Sequence, residues 1–374
     1  GGRTARAARR IPLAQADVRM TRRILQQSYY LAAVQLLPET PPWGALSGVR
    51  PTKLSTKCLM EGGTRKQADR MLRDIYFVTP ARRTLCLDAS EATVAAANKL
   101  APRDLSVYIG IPFCPTRCAY CSFVSESVER FGEFLPPYLD CLLREVEYTG
   151  NLLRNAGWHI RSLYMGGGTP TTLSSAQMAR LLEAIHTHFD LSRCLEFTVE
   201  GGRPDTLDEE KLRVIYQGGA TRISINPQTM SDRVLRAVGR RHTAAQTVAA
   251  YETARRIGFD DINMDLIAGL PADTAESFAD SVRQVTSMSP SGITVHTLAL
   301  KKGADLFQKR VTLPSREEVA AMLDDAQSQL RAMRYAPYYL YRQKYMSGSF
   351  ENVGWCRPGY LGYYNIYMME ELHT

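Results

Sequence analysis

Cys114, Cys118 and Cys121 fall within the stretch YIGIPFCPTRCAYCSF, spaced CxxxCxxC in a single loop that follows a short apolar run. A structural zinc ion is held by four ligands, usually two separated cysteine pairs, so this triad does not close a tetrahedron. A [4Fe–4S] cluster normally takes four thiolates. Held by three, it keeps one iron open to a ligand that is not protein. S-adenosylmethionine (SAM) can chelate that iron through its amino and carboxylate groups and be cleaved to an adenosyl radical when the cluster is reduced. A zinc ion borrowing a distant fourth ligand, or three unrelated core thiols, are the alternatives.

More polar residues stand at the ends of later apolar runs. MGGGTPT carries Gly167, Gly168 and Thr169, glycines that let backbone approach closely and offer N–H and C=O groups to a zwitterion. Glu200 ends LEFTVE, Gln228 follows ATRISIN, Arg240 lies in VGRRHT, and Asp265 lies in DINMDLIAG. Each taken singly reads as a solvated loop residue or a helix cap. Set at successive strand ends, the carboxylates suit an amino group or ribose hydroxyls, and the arginine suits a carboxylate. His296 reads as a core histidine, with a substrate contact as the alternative. Lys301 and Lys302 read as solvated, and the run YAPYYLYRQKYMSG as a strand packing an aromatic face, or a surface for a flat macrocycle.

Six β-prone runs from residue 105 to residue 300 alternate with amphipathic helices, the pattern of βα units and a parallel sheet. Active sites in such folds gather at the C-terminal ends of the strands, where all these motifs sit. A partial barrel is expected rather than a doubly wound sheet. Residues 1–101 read as a mainly helical N-terminal region, 102–345 as the barrel, and 346–374 as the start of a further region. The opening 24 residues carry seven arginines and one aspartate, read as the cut edge of a longer protein with its arginines on a solvated helix. GVRPTKL reads as a turn with Arg50 and Lys53 available to whatever docks there.

The 374 residues are 45% hydrophobic and 22% charged, ordinary for a globular chain, with no apolar run near membrane-spanning length. The net charge of +8 is spread along the chain and permits an anionic partner. No zinc-finger spacing or RNA-recognition signature accompanies it, so nucleic acid is not expected. Five scattered cysteines without a signal peptide fit a reducing cytoplasm.

The cysteine spacing resembles the radical SAM superfamily. With MGGGTPT, TVEGGRPDT, GRRHT and INMDLIAGLPADT it resembles the oxygen-independent coproporphyrinogen III oxidase branch over about residues 104–345. GVRPTKL, SINPQTM and YYLYRQKYMSGSFENVGWCRPG are similar to the coproporphyrinogen dehydrogenase HemZ group within it. The resemblance implies a partial (β/α)6 barrel, a [4Fe–4S] cluster on Cys114, Cys118 and Cys121, and one or two SAM molecules. Tyr108 and Tyr120 would flank SAM, with further contacts from Gly167, Gly168, Thr169, Glu200, Gln228, Arg240, Asp265 and the backbone of Ala299. It implies a tetrapyrrole substrate, oxidative decarboxylation of coproporphyrinogen III to protoporphyrinogen IX, and an electron donor such as flavodoxin or ferredoxin. The oxidase carries another cysteine two residues after the third. Phe123 stands there instead, as in the haem-chaperone relative HemW, which makes haem binding on the same scaffold one rival expectation, a radical SAM enzyme with another substrate being the second.

Overall fold

The computed structural model describes residues 2–12, 14, 16–309, 311–343 and 347–374. All six β-prone runs form strands: β1 (Asp104–Ile111), β2 (His159–Gly167), β3 (Glu196–Gly202), β4 (Arg222–Ile225), β5 (Asp261–Ala268) and β6 (Gly292–Thr297). Each pairs in parallel with the next, the arrangement that buries both faces of a strand and so demands continuous apolar runs. Two antiparallel strands, β7 (Ala336–Tyr341) and β8 (Asn352–Cys356), extend the sheet in the order β1-β2-β3-β4-β5-β6-β8-β7. Sequential order makes this the expected α/β half-barrel, not a doubly wound sheet with its reversal of strand order.

Helices α1 (Val18–Ala33), α2 (Thr52–Met60), α3 (Arg65–Asp74) and α4 (Pro80–Ala97) precede the sheet. Around it lie α5 (Leu135–Ala156), α6 (Ser175–His188), α7 (Glu209–Gln217), α8 (Asp232–Ala237), α9 (Ala244–Ile257), α10 (Ala275–Met288) and α11 (Arg316–Ala332), and α12 (Tyr363–Glu370) follows. The starts of α6, α9 and α11 are fixed by capping boxes, Ser174 with Gln177, Thr243 with Gln246 and Ser315 with Glu318. Gly157, at φ 68°, ends α5 in the left-handed conformation.

One hydrophobic core runs from Trp43 through Leu85 and the barrel strands to Trp355. The helix expected for the opening arginines carries only Arg19, Arg22 and Arg23, because Asp17 caps α1 by accepting from Met20 N–H at 2.6 Å. Residues 2–12 have no regular structure. Arg50 and Lys53 do have a docked partner: both pair with Glu371, just beyond α12. The part of the tyrosine-rich run at 344–346 lies outside the described residues.

Candidate active site

The cysteine triad sits on the loop that leaves β1. Its neck is closed by a two-residue parallel ladder of Phe113–Cys114 with Glu126–Ser127. Ala119 N–H donates to the Val238 carbonyl at 3.0 Å, Leu306 N–H donates to the Ala119 carbonyl at 2.9 Å, and Arg117 donates to the Gly303 carbonyl at 2.8 Å. The loop is thus held from two sides of the barrel mouth. All three thiols are free, partly exposed and turned to one cavity of about 430 Å³, which none of the other five cysteines lines.

Every candidate residue from the sequence lines that cavity. Tyr108, Gly167, Gly168 and Thr169 come from the ends of β1 and β2, Glu200 from β3, and Gln228 and Arg240 from the segments after β4. Asp265 comes from β5, Ala299 from beyond β6, and Tyr120 from the cysteine loop itself. The physical reason for the glycines differs from the expected one. Gly168 N–H and Thr169 N–H donate to the Ile111 and Phe113 carbonyls at 2.8 and 2.7 Å, so they are not an open donor pair. A Cβ on Gly168 would lie 2.5 Å from the Phe113 carbonyl oxygen, and one on Gly167, at φ +115°, 3.0 Å from Ile111 backbone. Glycine here lets β2 pack backbone on backbone against the root of the cysteine loop. Thr169 Oγ1 meets Cys114 Sγ at 3.5 Å.

Two carboxylates face the cavity and are shifted in opposite directions. Burial raises Glu200 to about 7, Asp265 adds to the rise, and the hydrogen bond from Tyr164 O–H to Glu200 Oε1, 2.5 Å, opposes it. Asp265 is partly buried, which disfavours its charge, but its interactions outweigh burial and hold it below the usual carboxylate range. His296 Nε2 lies 3.6 Å from its Oδ2, and Asn263 Nδ2 donates to its Oδ1 at 2.7 Å. His296 therefore belongs to the cavity wall and not to the core, while Lys301 lines the rim and Lys302 is solvated.

Gln228 sits at φ 68°, uncommon for a non-glycine residue, and is held there by bonds to β5: its N–H to Asp265 O, 2.8 Å, and its carbonyl from Ile267 N–H, 2.9 Å. Its Oε1 and Arg240 Nε are buried without a hydrogen-bond partner. Buried polar atoms in native folds are normally paired, and both residues line the cavity. Arg240 otherwise donates to Tyr120 Oη at 3.0 Å and to the Asn226 carbonyl at 2.9 Å.

Several residues of the site were not singled out from the sequence. Asn263 stands two residues before Asp265 on the same strand, and hence on the same face. Arg203 follows Glu200 past the end of β3, under the same strand-end rule that found Glu200. Tyr364 had no such signal. It comes from α12 and stacks on Tyr164 at 4.5 Å, itself stacked on Tyr108 at 6.0 Å. Tyr339 and Tyr341, stacked at 6.2 Å on β7, face the cavity, while Tyr338 is buried against Ile366 and Tyr367. The packing reading of the tyrosine run holds for Tyr338, while Tyr339 and Tyr341 on the other face of the strand line the cavity.

Among the described residues, no three of His, Cys, Asp or Glu are arranged to hold a single metal ion. Three free thiols on one loop, with no fourth protein ligand beside them and orphaned polar atoms across the cavity, fit a cluster with an open iron and a polar ligand upon it.

A model of the Radical SAM superfamily matches residues 108–285. Over 340 residues the chain is 39% identical to the oxygen-independent coproporphyrinogen-III oxidase-like protein HemZ of Bacillus subtilis, covering 90% of this chain and 68% of HemZ. It is 31% identical to the heme chaperone HemW of the same organism over 69% of each chain. The solved structure of coproporphyrinogen III oxidase (HemN) from Escherichia coli matches with a TM-score of 0.59 at 29% identity, over 72% of this chain and 59% of that one. The chain belongs to the radical SAM superfamily, within its oxygen-independent coproporphyrinogen III oxidase-like family. Membership implies a [4Fe–4S] cluster and SAM. No helix among the described residues is long and apolar enough to cross a membrane.

Proposed function

We propose that this protein is a cytoplasmic oxidoreductase that decarboxylates two propionate side chains of coproporphyrinogen III to vinyl groups, giving protoporphyrinogen IX. The observation that carries the reading is convergence: a thiol triad, two carboxylates shifted in opposite directions, and a tyrosine wall share one cavity. Similarity to HemZ over 90% of the chain supports it.

Cys114, Cys118 and Cys121 would hold the cluster. Glu200 and Asp265 would meet the amino group or ribose of SAM, with Gln228 and Arg240 turning their unpaired atoms to its polar groups. Bound there, a cluster reduced by a flavodoxin- or ferredoxin-like donor, together with SAM, would supply the abstraction of a hydrogen atom. The chain's own part is to bind, orient and exclude water. Tyr108, Tyr164, Tyr364, Tyr339 and Tyr341, all on the cavity wall, would offer aromatic surface to a macrocycle. Arg117 and Lys301 at the rim offer cations to its carboxylates. A propionate that gives up one hydrogen atom, one electron to a one-electron acceptor such as an oxidised flavin or iron–sulfur protein, and CO2 would be left as a vinyl group.

The second reading is a haem-binding protein on the same scaffold. Phe123, 67% exposed at the cavity rim after the third cysteine, supports it, as does the similarity to HemW. Anaerobic incubation of the reconstituted protein with SAM, dithionite and coproporphyrinogen III separates the two. The enzyme reading expects vinyl products and substrate-dependent 5′-deoxyadenosine, both lost on Cys→Ala change at any triad position. Stoichiometric haem binding with neither product would replace it by the carrier.

A further inference from the structure

Each spacer of the cysteine motif is gripped by one buried guanidinium. The three-residue spacer between Cys114 and Cys118 contains Thr116, which accepts from Arg203 Nη1 at its hydroxyl, 2.6 Å, and at its carbonyl, 3.2 Å. The two-residue spacer between Cys118 and Cys121 contains Tyr120, the partner of Arg240. Arg203 is 3% exposed and arises from the end of β3, not from the cysteine loop. Its remaining donors form a fork on Asp205, Nε to Oδ1 at 3.0 Å and Nη2 to Oδ2 at 2.8 Å. A fork of this kind fixes the guanidinium plane and so fixes where Thr116 is held.

We infer that Arg203 is a positioning residue for the cluster: it sets the path of the Cys114–Cys118 spacer and places a fixed positive charge beside the reduced state, with Asp205 as its counterweight. The inference rests on the reading of the triad as cluster ligands. Three thiolates and a reduced cluster carry net negative charge, and in a buried setting a nearby cation favours the more negative state. Asp205 stays ionised there. Burial disfavours its charge, but the hydrogen bonds and charge of Arg203 more than offset that. The pair therefore gives two handles of opposite sign on one centre, and loop damage alone would not reproduce that signature.

The test uses the full chain, reconstituted with iron and sulfide, and reads iron per protein together with the midpoint potential from a redox titration followed by electron paramagnetic resonance. Arg203→Gln removes the cation and leaves Asp205 unbalanced, so the midpoint should move to more negative potential, with loss of part of the bound iron. Arg203→Lys keeps charge but not the fork, so it should recover the potential better than the iron content. Asp205→Asn should shift the midpoint the other way. If Arg203→Gln does not fold, the sign is read from Asp205→Asn and Arg203→Lys against the wild type. Unchanged potentials, or shifts of the same sign in Arg203→Gln and Asp205→Asn, would overturn the inference. A wild type that takes up no cluster would overturn the reading of the triad itself, a failure seen before any variant is compared.

Discussion

Glu200 and Asp265 stand on the same wall, yet burial wins at one and hydrogen bonding at the other. The raised value of Glu200 means that its protonated form favours the fold. That contribution is complete below the ordinary glutamate range and lost as pH rises through about 7. A cation bound beside it would restore ionisation and expel the proton. With Glu200 in the proposed SAM site, SAM affinity should rise with pH up to about 7, by as much as about tenfold per unit, then level off. Glu200→Gln should flatten the profile. Titration calorimetry across that range, in buffers of different ionisation enthalpy, reads both affinity and proton release. A flat wild-type profile would take Glu200 out of the SAM site.

At the scale of elements, α12 decides what covers the cavity. It brings Tyr364, Asn365 and Met369 to the wall, and it is seated by contacts with the far end of the chain. Thr52 bonds Glu370, both buried, Arg50 and Lys53 pair with Glu371, and His373 Nε2 lies 2.7 Å from Ser106 Oγ on β1. Removing one partner of a buried hydrogen bond costs about 1–3 kcal/mol, whereas exposed ion pairs contribute little. Glu370→Ala should therefore speed amide hydrogen exchange over 363–371 by one to two orders of magnitude, the rate equivalent of about that free energy. Exchange in β3 and β4 should stay as it was. Glu371→Ala should do far less. Unchanged exchange in α12 after Glu370→Ala would mean that the tyrosine contacts, not this clamp, seat the helix.

For the whole molecule, Glu351 ties three distant segments into one. It is 3% exposed, accepts from Trp43 Nε1 at 2.7 Å, pairs with Arg82 Nε at 2.8 Å, and its backbone carbonyl accepts from Thr297 Oγ1 at 2.8 Å. Breaking a buried charge pair by removing one member costs about 3–5 kcal/mol. Arg82 keeps its second partner, Asp324, so Glu351→Ala should lower stability by about 3 kcal/mol, the low end of that range, in urea unfolding. The loss should appear as one transition, with tryptophan fluorescence and helix signal coincident, because helices and sheet share a core. A separate early transition of the N-terminal helices would show instead that they fold apart from the barrel.

The sequence by itself determined what is written in short-range spacing. Three thiols within eight residues, and short apolar runs alternating with amphipathic helices, are local patterns, so the triad, the six parallel strands and their helices were legible, and so were the polar residues at strand ends. Tertiary structure decided what depends on residues far apart in the chain. Nothing in GVRPTKL announces Glu371, and nothing near Tyr164 announces Tyr364, because these contacts join positions hundreds of residues apart, with no shared period. The glycines of MGGGTPT could be read as necessary, but their close packing against the root of the cysteine loop came from tertiary structure alone. Charge state was equally out of reach. Glu200 and Asp265 are both carboxylates at strand ends, and only burial, Tyr164 and His296 separate one that is raised to about 7 from one held ionised.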